Sequence, residues 1–154
     1  MSEQMKISDF IAPENVLLDV AVPSKIRLLR LLSEKSGAAL GIDENVIFTA
    51  LNNREQLGST GIGEGIAIPH APVLDVVVPF GMAVRLAKPI DFEAIDDIPV
   101  DIVILALMPE SRATHLNLLA CLARRLRMPD VLKLVRGTSD RDHFHALLTG
   151  DDVH

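Results

Sequence analysis

The chain has no tryptophan and no tyrosine, and its aromatic residues are five phenylalanines among 154 positions. A nucleic-acid surface usually combines a basic face with stacking aromatic rings. With those rings missing and a formal net charge of −6, the composition argues against nucleic acid as a partner. Cys121 is the single cysteine, which excludes an internal disulfide and suits a reducing cytoplasm. It falls in an apolar helical pattern and reads as a small core residue. Long apolar runs are also missing: each is broken by charge or proline well before the ~18 residues a membrane span needs, Ile102–Met108 being typical. The first residues, Met-Ser-Glu-Gln-Met-Lys, contain no basic segment leading into an apolar stretch, so no secretory signal is expected.

Several motifs are absent as well. No Gly-Lys-Ser/Thr follows the glycine run, which removes a P-loop, and Gly61-Ile62-Gly63 does not continue into a dinucleotide fingerprint. A Gly-x-Ser-x-Gly elbow, which a serine hydrolase of that type needs, does not occur. A zinc site on His70 and His115, with Glu64 or Asp75 as third ligand, stays open, but without His-x-x-x-His or Cys-x-x-Cys spacing it is a minor option.

What the chain does contain is a large apolar fraction, 49% of residues, enough for one domain over residues 1–154 with a sizeable core. Helical and strand-like patterns alternate along it. A short helical turn is expected at Ser8–Ile11 and a strand at Val16–Val20. Pro23-Ser24 opens a helix that Gly41 ends, and Asp43 caps the next, whose apolar stripe is Val46, Ile47, Ala50, Leu51 and Leu57. Val73–Leu86 reads as one or two strands of a hairpin, with Pro79-Phe80-Gly81 near its turn. The acidic segment Pro89–Asp97 reads as loop, and Val100–Met108 as a strand covered on both faces. Pro109-Glu110-Ser111 begins a helix carrying Leu116, Leu119, Leu122, Ala123 and Leu126 inward. Helices at Pro129–Arg136 and Ser139–Leu148 follow, then a frayed tail ending in His154. The pattern predicts an α/β layered domain with a mixed, largely buried sheet.

Arg124, Arg125 and Arg127 read as a solvated face that suits a helix C-terminus. A docking patch for an acidic partner is the sharper alternative.

The candidate site gathers around one stretch, Gly58-Ser59-Thr60-Gly61-Ile62-Gly63-Glu64-Gly65-Ile66-Ala67-Ile68-Pro69-His70. Clustered glycines let backbone N–H groups turn toward one anion, so Gly58, Ser59, Thr60, Gly61 and Gly63 form a candidate phosphate-binding loop. The loop leads into a short strand whose end carries His70, with Pro69 restricting the backbone before it. Arg54 stands in the apolar stripe of the preceding helix. It either snorkels to water or aims its guanidinium fork at an anion beyond the helix end, and the adjoining loop favours the second. His115 falls in the first turns of the helix after the buried strand. Alone it reads as a satisfied core histidine, but together with His70 it becomes a candidate for the same site. His143 and His145 read as surface or packing residues. The chemistry this set suits is nucleophilic: a neutral imidazole attacks a phosphoryl group while loop amides and Arg54 stabilise its oxygens. A carboxylate on the other ring nitrogen would fix the tautomer, and Glu64 lies near enough in sequence to reach the site.

The run Arg54-Glu55-x-x-Gly58-Ser59-Thr60-Gly61-Ile62-Gly63-Glu64-Gly65-Ile66-Ala67-Ile68-Pro69-His70 resembles the signature of enzyme IIA of the phosphoenolpyruvate-dependent phosphotransferase system, fructose/mannitol branch (type 2). The resemblance extends from Ser8-Asp9 to the final helix, and a free-standing chain of this size is most similar to the nitrogen-regulatory enzyme IIA. It implies a mixed sheet sandwiched between helices on both faces. It also implies a cytoplasmic carrier whose phosphohistidine falls on His70, with the active-site arginine on Arg54 and the second histidine on His115. The implied donor is the histidine-containing phosphocarrier protein. The implied acceptor is a downstream regulatory protein or a sugar-permease IIB, with no metal or cofactor at the transfer step. Two positions depart from the nitrogen-related pattern: Glu64 is acidic, as in sugar-transporting members, and Ala71 replaces the usual glycine after the histidine. A non-phosphorylated ligand- or metal-binding module is the alternative from another class.

Overall fold

In the computed structural model residues 6–109 and 112–150 are described, with backbone alone for 112–116. The chain begins with α1 (Ile7–Phe10), a 3₁₀ turn (Pro13–Asn15) and β1 (Val16–Val20). Two long helices follow, α2 (Lys25–Leu40) and α3 (Glu44–Gln56). Their boundaries are set by local chemistry. The Ser24 side chain accepts from the Arg27 amide at the start of α2, Gly41 closes it with φ of 70°, and the Asp43 side chain caps α3 through the Asn45 amide. Next come β2 (Gly61–Gly63), β3 (Ile66–Ala67), β4 (His70–Pro72), β5 (Phe80–Ile90) and β6 (Val100–Met108), then α4 (Arg112–Leu126), α5 (Pro129–Gly137) and α6 (Arg141–Thr149). Val16–Val20 and Val100–Met108 coincide with the expected strands. The expected helix start at Glu110-Ser111 and the tail with His154 lie outside the described residues.

The sheet runs β1-β5-β6-β3-β2, with β4 joined to β6 on the same side as β3. β1 is parallel to β5, β5 antiparallel to β6, and both β3 and β4 parallel to β6. The sheet is therefore mixed, as expected. Strand alternation sends successive residues of β6 to opposite faces. Ile102, Ile104, Ala106 and Met108 join a core with Leu118, Leu122 and Leu126 of α4, Val131 and Val135 of α5, and Phe144 and Leu148 of α6. Val103, Leu105 and Leu107 join a second core with Leu28, Leu29 and Leu32 of α2 and Ile47 and Leu51 of α3. Helices cover both faces, which is why β6 reads as an unbroken apolar run.

Two expectations are corrected. The Val73–Leu86 segment is not a hairpin: only its second half, from Phe80, is strand. Pro72 is registered with Met108 on one edge of β6 and Phe80 with Leu107 on the other. Residues 73–79 therefore have to cross the C-terminal end of β6 and cannot pair with β5. The crossing leaves Leu74, Val77 and Val78 exposed. The apolar stripe of α3 also differs from the reading above, since its buried residues are Ile47, Leu51 and Glu55, while Val46 and Leu57 face solvent. At about 100° per residue Leu57 and Val46 lie roughly 120° and 140° around the helix from Leu51, so the helical period itself turns both away from the core.

Candidate functional site

His70 begins β4 and pairs with Ala106, which places its half-buried ring near the C-terminal end of β6. The Pro69 carbonyl accepts from the Ala106 amide at 2.9 Å and anchors the residue before it. The ring nitrogens have different partners. Nδ1 is 2.7 Å from the Ile68 carbonyl oxygen, and Nε2 is 3.3 Å from the Arg54 Nε. A carbonyl only accepts and a guanidinium only donates. The proton therefore sits on Nδ1 and a lone pair on Nε2, facing the arginine. The tautomer expected to need a carboxylate is set by a backbone carbonyl two residues away.

Arg54 reaches this position from the last turn of α3. A second guanidinium nitrogen, Nη1, donates to the Gly58 carbonyl at 2.9 Å, so the fork is held at two points. Both groups open onto a cavity of about 290 Å³ lined by Arg54, Ser59, Thr60, Ile68 and His70 on one side and Leu119, Ala120 and Ala123 of α4 on the other. The arrangement can hold a tetrahedral anion against Nε2 with one fixed positive charge beside it. Backbone geometry places His115 in the first turn of α4, and its side chain lies outside the described residues.

Of the amide cradle expected at Gly58, Ser59, Thr60, Gly61 and Gly63, three amides are committed elsewhere. The Gly58 amide donates to the Glu55 carbonyl, the Thr60 amide to Glu55 Oε1, and the Gly61 amide to Ser59 Oγ. Both hydroxyls are also committed, Ser59 to the Phe92 carbonyl at 2.7 Å and Thr60 to Glu55 Oε2. Gly61 serves close packing instead. A Cβ on Gly61 would stand 2.8 Å from the Ala94 Cβ, nearer than side chains approach. Ser59 and Thr60 line the cavity, but both hydroxyls and the Thr60 amide are bonded within the protein.

Glu64 is corrected too. It occupies the β2–β3 turn with φ of 59°, and its side chain is exposed. The adjoining Gly65 carbonyl accepts from the Asp101 and Ile102 amides, whereas His70 pairs with Ala106. Four to five residues of strand, at ~3.3 Å each, separate the two positions by about 15 Å. The turn is fixed by other groups: the Glu64 amide donates to Asp96 Oδ2 at 2.9 Å and its carbonyl accepts from Arg136. These amide bonds, from Glu64 first and Ile98 second, hold the Asp96 carboxyl below its ordinary value.

Two residues that the sequence reading left without a role stand directly behind the site. Glu55 is buried, and its carboxylate bonds both the amide and the hydroxyl of Thr60. Lys25, the first residue of α2, pairs with it at 2.9 Å. The available signal was spacing: Glu55 continues the i, i+4 series of Ile47 and Leu51, where a charge is unexpected.

The remaining candidates take structural places. Arg125 donates to the Leu147 carbonyl and Arg127 to the Ile62 carbonyl, so the three arginines do not form one free patch. His145 bonds the Ile11 carbonyl and His143 the Thr138 hydroxyl, consistent with packing and surface roles. Among the described residues no group of three histidine, cysteine or acidic side chains could hold a metal ion, and no helix is long and apolar enough to cross a membrane.

Comparison with known proteins gives matches of three kinds, to a family, to a sequence relative and to solved structures. Residues 9–150 match the family described as "Phosphoenolpyruvate-dependent sugar phosphotransferase system, EIIA 2". The chain is 41% identical over 145 residues to the nitrogen regulatory protein of Bradyrhizobium diazoefficiens, covering 94% of this chain and 95% of that one. It is similar to the crystal structure of nitrogen regulatory protein IIA-Ntr from Neisseria meningitidis, with TM-score 0.89, 30% identity, and 93% and 99% of the two chains covered. The mannitol IIA of Escherichia coli shares the fold, with TM-score 0.74, 24% identity, and 88% and 96% coverage.

Proposed function

We propose that this chain, which belongs to the EIIA type-2 family of the phosphoenolpyruvate-dependent sugar phosphotransferase system, carries a phosphoryl group on His70 in a nitrogen-related regulatory branch. The observation that carries the reading is the pair of contacts on the His70 ring, which put the proton on Nδ1 and the lone pair of Nε2 toward Arg54 and the cavity. In the proposed step the Nε2 lone pair attacks the phosphorus of a phosphohistidine on the donor, the histidine-containing phosphocarrier protein. A new N–P bond forms as the donor's N–P bond breaks, and the donor imidazole leaves with that electron pair. The His70 ring gains positive charge as Nε2 is substituted, and the Ile68 carbonyl on Nδ1–H stabilises that charge. The Arg54 fork exchanges its contact with Nε2 for the phosphoryl oxygens. His115, from the start of α4, is the second imidazole of the site.

The nitrogen regulatory relatives support the regulatory branch. A downstream regulatory protein is then the acceptor, and the compartment is the cytoplasm. An acidic Glu64 favours a second reading, a subunit feeding a sugar-permease IIB, though that carboxylate belongs to a turn remote from His70.

The test is incubation with phosphoenolpyruvate and a phosphocarrier relay. The wild-type chain gains one acid-labile phosphate and His70→Ala gains none. Uptake by His70→Ala, or no uptake by the wild type, sinks the carrier reading.

A further inference from the structure

The buried carboxylate of Glu55 stands behind the candidate site, and several contacts converge on it. Its Oε1 accepts the Thr60 amide at 3.1 Å and pairs with Lys25 Nζ at 2.9 Å, while Oε2 accepts the Thr60 hydroxyl. The Glu55 side chain is 3% exposed and that of Lys25 17%. Lys25 also lies 4.5 Å from the centre of the Phe92 ring and donates to the Phe92 carbonyl, which accepts the Ser59 hydroxyl as well. Residues 58–60 are thus tied from below, by α3 through Glu55 and by the 91–99 loop through Phe92. The same three residues carry the Gly58 carbonyl that holds Arg54 Nη1, and Arg54 Nε meets His70 Nε2.

A buried ion pair is by itself weak evidence of stabilisation, because desolvation offsets much of the attraction. Here the pair does something an apolar replacement could not do. It presents two acceptor oxygens to one loop residue, leaving neither the amide nor the hydroxyl of Thr60 free to turn toward the cavity. The Gly58 carbonyl, two residues upstream, then has one place to be.

We propose that Glu55, neutralised by Lys25, is a positioning residue for phosphoryl transfer: it locks Gly58–Thr60 so that the Gly58 carbonyl aims the Arg54 guanidinium at His70. The inference rests on the carrier reading, and acts through Arg54. A misaimed guanidinium loses transition-state contacts while leaving donor docking intact, and misplacement of about 1 Å at a reacting group can cost up to ~10²-fold in rate.

The experiment is a double-mutant cycle in the intact chain. Glu55→Gln keeps the volume and one acceptor oxygen, but loses the charge and one of the contacts to Thr60 or Lys25. It is expected to lower the transfer rate at saturating phosphocarrier about tenfold, with the KM for that donor unchanged. In an Arg54→Ala background the same substitution should cost under about twofold, because the group being aimed is gone. Equal losses in both backgrounds overturn the proposal and leave Glu55 with a structural role alone. Lys25→Met, made at the more exposed partner, repeats the test should Glu55→Gln fail to fold. A second readout needs no phosphate. The Arg54 Nε–H proton and His70 Nε2 nitrogen resonances of the wild type should report their mutual bond, and both should move toward free values in Glu55→Gln or Lys25→Met. Unmoved resonances in folded variants also overturn the proposal. A wild-type chain that takes up no phosphate refutes the carrier reading, and these resonances then decide the positioning by themselves.

Discussion

Arg54→Ala separates the chemistry proposed for this site from its architecture. The side chain is half-buried at the end of α3, outside both apolar cores, and it donates hydrogen bonds to His70 Nε2 and the Gly58 carbonyl. Removing it creates no core cavity. Gly58 is exposed, so its carbonyl can bond water instead and the stability cost is that of one or two net hydrogen bonds, about 1–2 kcal/mol. For a chain of this size that is a fall of roughly 2–8 °C in Tm. The transfer step should suffer far more. Arg54 supplies a fixed positive charge within hydrogen-bond reach of the attacking nitrogen, and losing one such donor typically costs ~10²–10³ in rate, or about 2.7–4 kcal/mol of barrier. Rapid-quench measurement of acid-labile phosphate on Arg54→Ala, at saturating phosphocarrier, should show that slowing with the same final stoichiometry. Arg54→Lys should recover only part of it, because an ammonium cannot hold the Gly58 carbonyl and face Nε2 as a rigid fork does. A rate within about threefold of wild type in folded Arg54→Ala would refute the assignment, because a fixed cation beside the nucleophile cannot be dispensable if it stabilises the transferring group.

The corrected face of α3 is tested by pairing two leucines. Leu51→Ala should cost about 2–5 kcal/mol in urea denaturation, whereas Leu57→Ala, at a position 84% exposed, should leave the midpoint within experimental scatter. Gly81→Ala should destabilise by roughly 1–3 kcal/mol, because a Cβ there falls 2.2 Å from the Phe10 ring, and calorimetry checks it. Asp96 has its folded pKa held below the ordinary 3.8 by the Glu64 and Ile98 amides. Its contribution to stability is therefore present above 3.8 and lost as pH falls from there through the lower folded value. The difference in urea midpoint between wild type and Asp96→Asn should stay level from neutral pH down to about 5 and shrink below 4. A difference that grows on acidification would contradict this sign.

Elements whose cause is local were legible in the chain. Ser24, Gly41 and Asp43 mark helix ends because a cap is a bond between near neighbours. The apolar run Val100–Met108 marks a buried strand because both of its faces meet helices. The pairing of Arg54 with His70 was also foreseeable, since α3 ends where the loop to His70 begins. The 73–79 crossing was not, because an apolar segment carries no mark of which edge of β6 its flanking strands will occupy.

The sequence by itself determined most of the helices and their caps, the strands at Val16–Val20 and Val100–Met108, and the residue types at the site, a histidine following a glycine loop with an arginine one helix-end upstream. That His70 begins a strand of its own, β4, came from the structure. Only the tertiary structure decided where the hydrogen bonds of that stretch go. The Gly58–Gly63 glycines suggest an anion cradle when read alone, yet their neighbours bond Glu55, Phe92 and Asp96, two of which arrive from the loop before β6. It likewise gave the His70 tautomer to the Ile68 carbonyl and carried Glu64 away along β6. A backbone amide bonds whichever acceptor the fold brings to it, and an acceptor some thirty residues away leaves no trace in the spacing of the residues it satisfies.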